Sequence, residues 1–292
     1  AVDGTLYFAG GYAEVYAVDA VSGKLLWKFD PETWKRRPDK MHFGATRGVA
    51  YENGKVFTVE MDGTVNALDA KTGKVIWAAA SIPDGPKSMF SNSSCAPLTM
   101  NGKFIIGNGG ADAGARGFVT AFDAETGKQL WRFYTVPGSP EENKGDPTME
   151  MAAKTWGPDF WKGTGGGGTV WNGMTFDAEA NRIYIGVGNP GPYDPEKRDP
   201  KGGDNLFTAG IVALDATTGK YIWHYQQNPR DGWDYKAAPN MVMATLNLEG
   251  GPKKVLMHAP TNGFFYVLDR ATGKLLNEPK ATTFQNWAKG ID

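Results

Sequence analysis

The sequence predicts an all-β fold, a β-propeller assembled from tryptophan-docking blades. The first observation is a segment that recurs five times, in which an apolar strand leads through Asp-x-x-Thr/Ser-Gly-Lys into a second strand. The second is the spacing of these copies, which falls in the range of propeller blades. The third is composition, because 39 Gly, 18 Pro, 10 Trp and 11 Tyr suit short strands and tight turns better than a helical bundle.

The recurring segments divide the whole chain, residues 1–292, into the blades of a single partial propeller domain. The segments end at Trp27, Trp77, Trp131, Trp223 and Asn277. Consecutive ends lie 50 residues apart (27 to 77), then 54 (77 to 131), 92 (131 to 223) and 54 (223 to 277). At roughly fifty residues per blade the chain holds about five to six blades. The longest interval must therefore contain an insertion.

Each repeat predicts an antiparallel meander of three strands. The upstream strand covers residues 5–9, 55–59, 103–107, 182–186 or 254–258. The second strand runs into the turn, where Asp can accept hydrogen bonds from turn amides and Gly can take a positive φ. The returning strand ends on the Trp in four of the five copies, and we expect this Trp to pack against the neighbouring blade rather than to carry chemistry.

Two long loops, 132–173 and 189–207, interrupt the repeats. Function in a propeller resides where such loops converge at one end of the central axis. The first loop contains the glycine run 165–168 followed by Trp171, and the second begins with Asn189 and Pro190. The glycine run is not a dinucleotide-binding motif, because no predicted strand precedes it and no predicted helix follows it.

Composition and residue counts exclude several classes of function. A net charge of −1 gives no field for nucleic acid or an anionic membrane. The single Cys95 rules out an internal disulfide, a Cys-rich zinc site and a Cys-x-x-Cys-His haem attachment. The chain has no apolar run of ~18 residues and no signal peptide, so we expect no transmembrane segment. No Ser-His-Asp set or zinc-ligand spacing of histidines stands out.

Four features together resemble the quinoprotein alcohol dehydrogenases. They are the Trp-docked repeat, the glycine-rich segment ending at Trp171, the stretch Gly186-Val-Gly188-Asn189-Pro190, and residues 228–235. Their order and spacing also match, over the whole chain. That family is built as an eight-bladed propeller, so the chain resembles the first part of one.

The resemblance implies oxidation of a small primary or secondary alcohol by pyrroloquinoline quinone (PQQ), assisted by a calcium ion. Asp112 and Asn189 fall on the family's metal ligands, and oxygen ligands suit a hard divalent cation. Asp234 falls on the general base that removes the alcohol proton. Electrons would leave to a separate acceptor such as a c-type cytochrome, and the family's usual compartment is the bacterial periplasm.

The resemblance also implies a set of cofactor contacts. Trp171 matches the ring on which the quinone stacks, and Arg47 matches an arginine that pairs with a cofactor carboxylate. The remaining residues at matching positions are Ser94, Gly110, Ala111, Thr261 and Asn262.

The chain departs from the family pattern at several positions. Met41 and His42 stand where the family usually has two adjacent cysteines over the quinone, and Asp112 is one methylene shorter than the usual Glu. Thr261 replaces a Lys or Arg that bonds the quinone oxygens, and a hydroxyl cannot stabilise an oxyanion as a cation does. Lys236 replaces the extra Asp of the lanthanide-using branch, which favours calcium.

Two other interpretations stay open from the sequence. One is a non-catalytic propeller scaffold resembling the outer-membrane assembly lipoproteins, which share the Trp-docked blades. The other is an inactive partial propeller that associates through open blade edges, since an unpaired edge invites pairing. Convergence of Asp112, Asn189 and Asp234 in space would favour the dehydrogenase, and their divergence the scaffold.

Overall fold

Five antiparallel sheets follow one another along the chain in the computed structural model, which describes residues 1–40, 45–83, 95–278, 281, 284, 286–288 and 290. The first sheet contains β1 (Thr5–Ala9), β2 (Val15–Asp19) and β3 (Leu25–Phe29). The second contains β4 (Ala50–Glu52), β5 (Lys55–Val59), β6 (Thr64–Asp69) and β7 (Val75–Ala80).

The third sheet contains β8 (Leu98–Met100), β9 (Lys103–Gly107), β10 (Phe118–Asp123) and β11 (Gln129–Tyr134). The fourth contains β12 (Met174–Asp177), β13 (Arg182–Gly186), β14 (Gly210–Asp215) and β15 (Tyr221–Gln226). The fifth contains β16 (Val242–Leu248), β17 (Gly251–His258) and β18 (Tyr266–Asp269). Each sheet pairs its strands in chain order, as a meander does.

The predicted turns form in all five repeats. In the second, Asp69 Oδ1 accepts hydrogen bonds from the backbone N–H of Lys71 and Thr72, at 3.1 and 2.8 Å, and from the Thr72 hydroxyl. Gly73 then takes a φ of 70°, a conformation that costs glycine little. The sequence reading of this motif is confirmed.

The tryptophans dock between neighbouring sheets, as predicted. Trp27 Nε1 donates to the carbonyl of Ala70 in the next repeat at 2.9 Å, and Trp77 Nε1 donates to that of Ala124 at 3.1 Å. Each Trp ring lies on the turn glycine of the following repeat. A Cβ on Gly73 would lie 2.6 Å from the Trp27 ring, and equally close approaches pair Trp77, Trp131 and Trp223 with Gly127, Gly219 and Gly273.

In the described residues the fifth sheet has no returning strand after β18, and Asn277 makes some of the hydrogen bonds that such a strand would make. Its Oδ1 accepts the backbone N–H of Val267 at 2.7 Å, and its Nδ2 donates to the carbonyl of Phe265 at 3.1 Å. Within the described residues the returning chain makes two isolated bridges, from Leu268 to Leu275 and from Phe264 to Ala281.

An additional first strand, which the repeat motif does not reveal, opens four of the sheets: β4, β8, β12 and β16. Strand β8 contacts both β4 and β12, so the first strands of these three sheets lie next to one another along the inner side of the array. A separate cluster of buried apolar side chains fills the space between each pair of successive sheets.

Antiparallel order gives every sheet two distinct ends. The tight hairpins, including those with the Asp and Gly turns, lie at one end. At the other end lie the connections from β5 to β6, β9 to β10, β13 to β14 and β17 to β18, together with the connections from one sheet to the next. Every predicted site residue in the described part of the chain lies at this second end, here called the loop end.

Short helices occupy the connections at the loop end. One lies between β3 and β4, α1 (Thr33–Arg36), and the others lie in the two long loops: α2 (Pro140–Asn143), α3 (Pro147–Ala153), α4 (Phe160–Gly163) and α5 (Pro195–Arg198). The sequence predicted loops over 132–173 and 189–207 and did not predict these helices. A capping box signals α2, in which the Ser139 hydroxyl accepts the N–H of Glu142 and the Glu142 carboxylate accepts that of Ser139. None of the helices in the described ranges is long and apolar enough to cross a membrane.

Candidate functional site

Asp112 and Asn189 meet at the loop end although they lie 77 residues apart. Asn189 Nδ2 donates to Asp112 Oδ1 at 2.9 Å. Asp112 lies in a single 3-10 turn, and the glycines that flank it, Gly110 and Gly114, have φ values of 97° and 91°. Asn189 is only 5% exposed, whereas Asp112 lies at the surface. The loop from the third sheet and the loop from the fourth thus present a carboxylate and an amide side by side.

The glycine run 165–168 holds these two loops together. The carbonyl of Gly167 accepts the N–H of Gly117, next to the Asp112 loop, and the N–H of Gly168 donates to the carbonyl of Asn189, both at 2.8 Å. A Cβ on Gly167 would lie 2.6 Å from the backbone nitrogen of Gly191. The backbone of the glycine run passes between the backbones of the Asp112 and Asn189 loops, and this space leaves no room for side chains.

Asp234 lies in the connection between the fourth and fifth sheets, with a φ of 66°. Asp231 shapes this turn, since its two carboxylate oxygens accept the N–H of Trp233 and of Tyr235 at 2.9 and 2.8 Å. Lys236 Nζ lies 2.5 Å from Asp234 Oδ2. The other oxygen, Oδ1, is buried and has no hydrogen-bond partner among the described residues, which is unusual for a carboxylate.

Tyr193 links Asp112 to the acidic side chains of the Asp234 turn, and the sequence reading missed it. Its hydroxyl donates to Asp112 Oδ1 at 2.7 Å. Burial raises the pKa of Tyr193 above its usual value, and the hydrogen bond and charge of Asp112 raise it further, followed by the charges of Asp234 and Asp231. The phenol therefore lies within the field of all three carboxylates. Its loop, 189–207, was expected to be functional, but no pattern singled out this residue.

Arg198 ties the Tyr193 loop to the Asp234 turn. It is 6% exposed, and its Nη1 donates to the carbonyls of Pro192 and Tyr193 at 2.7 and 3.0 Å. Its Nη2 donates to the carbonyl of Asp231 at 3.0 Å. Burial lowers the pKa of Arg198 to about 10, so it stays cationic at neutral pH. The sequence carries no motif for this contact, which joins residues 33 positions apart.

Trp171 and Arg47 come together, as two cofactor-binding residues should. The guanidinium carbon of Arg47 lies 4.5 Å from the centre of the Trp171 ring, a cation–π distance. The ring is half-buried and the arginine is exposed. A flat molecule cannot enter a gap of this size, so stacking on the same face of Trp171 requires the guanidinium to move aside.

The other predicted contacts differ in character. Ala111 is buried, and its carbonyl packs so closely against Gly191 that a Cβ there would lie 2.4 Å away. Asn262 is buried and its Nδ2 donates to Asn228 Oδ1 and Tyr266 Oη, so it ties its loop to the connection between the fourth and fifth sheets. Thr261 is exposed at the tip of that loop. Ser94, Met41 and His42 lie outside the described residues.

The donor chemistry fits a hard cation. Asp112, Asn189 and Asp234 offer carboxylate and amide oxygens, the ligands that calcium prefers, and the unpartnered Oδ1 of Asp234 lacks the hydrogen bond that a complete site would supply. The described residues hold no group of three or more His, Cys, Asp and Glu side chains placed to bind a metal.

A meander of Trp-docked sheets with oxygen donors and an aromatic ring at the loop end is typical of propeller dehydrogenases that use a quinone and a metal. The sequence profile of the family described as "PQQ: Glucose/ethanol/alcohol dehydrogenase, beta-propeller domain" matches residues 1–282. The chain belongs to this family. The suspected resemblance and the predicted propeller are confirmed.

Three individual proteins show how similar the chain is to members of this family. The chain is 50% identical over 295 residues to quinohemoprotein alcohol dehydrogenase ADH-IIG of Pseudomonas putida, which covers 100% of this chain and 40% of that protein. The crystal structure of quinohemoprotein alcohol dehydrogenase from Comamonas testosteroni superposes with a TM-score of 0.94 at 46% identity, covering 100% of this chain and 43% of that one. A europium-containing methanol dehydrogenase gives a TM-score of 0.87 at 34% identity, covering 100% and 51%.

The chain spans about two-fifths of the length of the quinohemoprotein relatives, as those coverages show. The activity of a whole enzyme, its substrates and its partners therefore belong to the proposal that follows.

Proposed function

We propose that this chain supplies the metal-binding and quinone-binding loops of a PQQ- and calcium-dependent alcohol dehydrogenase, with Asp234 as the general base. The observation that carries the proposal is the 2.9 Å hydrogen bond between Asn189 and Asp112. Two loops from different sheets bring together the residues that match the family's metal ligands. A propeller scaffold without a metal has no need of this contact, so the pairing favours the dehydrogenase.

Asp112 and Asn189 would hold the metal ion. Both hydrogen bonds to Asp112 fall on Oδ1, which leaves Oδ2 for coordination. Asp112 is one methylene shorter than the family's usual Glu, so the ion would lie closer to residue 112 or take a bridging water. The ammonium of Lys236, bound to Asp234, repels a trivalent ion more strongly than a divalent one, which favours calcium over a lanthanide.

Trp171 and Arg47 would receive the cofactor. When bound, PQQ supplies an o-quinone that accepts the hydride of the alcohol, and calcium polarises its carbonyl. Trp171 provides the stacking surface for this flat ring. Arg47, once displaced from the Trp171 face, is placed to pair with a cofactor carboxylate, because a guanidinium binds carboxylates in a bidentate manner.

Asp234 would accept the hydroxyl proton of a small primary or secondary alcohol. Lys236 holds Oδ2, so Oδ1, which has no protein partner, is the oxygen that takes the proton. The exposed Trp233 and the half-buried Tyr235 stack with their ring centres 5.9 Å apart on either side of Asp234 in sequence. They form an apolar edge beside the base.

We propose that the electrons pass to a separate acceptor such as a c-type cytochrome. The name of one relative, a 1-butanol dehydrogenase (cytochrome c) of Thauera butanivorans, fits such a route. We propose that this protein acts in the periplasm, the family's usual compartment.

Titration of the purified chain with PQQ and calcium tests the proposal. We expect calcium-dependent quinone binding at micromolar concentrations, measured by absorbance. We also expect dye-linked alcohol oxidation, which Asp234→Asn should abolish while quinone binding remains. General base removal costs typically a factor of about 100 to 10,000 in rate. Quinone binding without turnover in the wild type would limit the chain to a cofactor-binding part. Absence of binding would favour the scaffold or the inactive partial propeller.

A further inference from the structure

The carboxylate of Asp112 needs support that its own loop does not provide. Asp112 is exposed and lies in a single 3-10 turn. Both of its hydrogen bonds come from the fourth sheet's loop, from Asn189 at 2.9 Å and from Tyr193 at 2.7 Å, and both end on Oδ1. In the described part of the chain Oδ2 accepts none. Two donors on one oxygen fix the rotation of the carboxylate and leave its second oxygen for a ligand.

Tyr193 is itself held in place by the buried Arg198 and by the start of the next helix. Arg198 donates to the carbonyl of Tyr193 and to that of Asp231, and the carboxylate of Asp194 caps the next helix by accepting the N–H of Glu196 at 2.9 Å. The Tyr193 side chain is 38% exposed, so its ring contributes little to the core. Its hydroxyl is the part of the residue that faces the site.

We propose that Tyr193 is a positioning residue of the metal site, whose hydroxyl holds the Asp112 carboxylate so that Oδ2 can bind the cation. The proposal rests on the assignment of Asp112 as a metal ligand. In this role Tyr193 acts through Asp112, to which its hydroxyl donates. Groups that orient metal ligands typically contribute a factor of about 10 to 100 to metal affinity.

Calcium titration calorimetry of the chain, without quinone, tests this role. Tyr193→Phe keeps the ring and removes the hydroxyl, and we expect it to weaken calcium binding about tenfold with an unchanged melting temperature. Tyr221→Phe is the matched control. Its hydroxyl also makes a side-chain hydrogen bond, to His224 at 2.8 Å, but it lies at the hairpin end of β15, so calcium affinity should not change.

A double-mutant cycle separates positioning from a general structural effect. In an Asp112→Glu background the carboxylate is displaced from the Tyr193 hydroxyl by a methylene, so Tyr193→Phe should then change calcium affinity by less than about twofold. Equal calcium affinity in the wild type and Tyr193→Phe overturns the role of Tyr193 and leaves the proposed function standing. Equal losses in both backgrounds overturn it as well. A wild-type chain that binds no calcium overturns the metal site and Tyr193's role with it.

Discussion

The ammonium of Lys236 lies beside the carboxylate of Asp234, on which a bound metal ion would also act. Its Nζ lies 2.5 Å from Asp234 Oδ2, and the side chain is 23% exposed, so the pair is partly shielded from water. An ammonium in this position neutralises Asp234 before any metal arrives.

Removing this charge should therefore strengthen metal binding. We expect Lys236→Met to raise calcium affinity several-fold, because it frees the Asp234 carboxylate from its counter-charge, and opposite unit charges about 4 Å apart attract by about 1 kcal/mol even in water. Lys236→Arg keeps the charge and serves as the control. Calorimetric titration at low salt measures both. Weaker calcium binding in Lys236→Met would show instead that the lysine's main effect is to hold Asp234 in position.

Part of this candidate site could be predicted from the sequence, and the rest could not, for a physical reason. Asp112, Asn189, Asp234, Trp171 and Arg47 could be named because each lies in a segment that resembles the family. Tyr193 and Arg198 act through contacts that form only when separate loops meet in space. Nothing in the local sequence around either residue encodes those partners.

At the scale of the elements, docking of a Trp on the next repeat's turn glycine is what joins one sheet to the next. The turn itself is local, since Asp, Thr and Gly lie within five residues, and it could be predicted from sequence. The innermost strands could not, because β4 and β8 are three residues long and have no recurring pattern. They are strands because they pair with β5 and β9.

A pair of glycine substitutions isolates the docking contribution. Gly127 has a φ of 72°, and a Cβ there would lie 2.7 Å from the Trp77 ring, whereas Gly102 has a φ of 71° and would meet nothing within 4 Å. Gly102→Ala should cost about 1–2 kcal/mol of unfolding free energy from backbone strain alone. Gly127→Ala should cost about 1–3 kcal/mol more, from overpacking. Urea denaturation measures both, and equal losses would mean that docking contributes nothing.

The whole molecule has an uncovered apolar face on its first sheet. One side of that sheet packs on the second through Val15, Ala17 and Trp27. On the other side Leu6 and Phe8 are 40% and 46% exposed. That residues 1–292 form one unit, and that the chain associates through an open blade, both remain predictions.

Association through this face should depend on concentration. We expect the weight-average mass of the chain, measured by sedimentation equilibrium, to rise with protein concentration. Phe8→Ser should reduce this rise, because burial of such side chains drives assembly. Val21→Ser is the control, since Val21 is 95% exposed but lies on the turn between β2 and β3. A constant monomer mass for the wild type would contradict the prediction.

The glycine run between the Asp112 and Asn189 loops sets a limit on how this site can vary. The run is one polypeptide backbone thick and has no side chains, so no substitution by a smaller residue could bring the two loops closer together. The separation of the two ligand loops is therefore a fixed dimension of the scaffold. A shorter carboxylate at residue 112 cannot be offset by bringing the loops closer together. The reach it loses must come from the ion, from water or from the groups that aim the carboxylate.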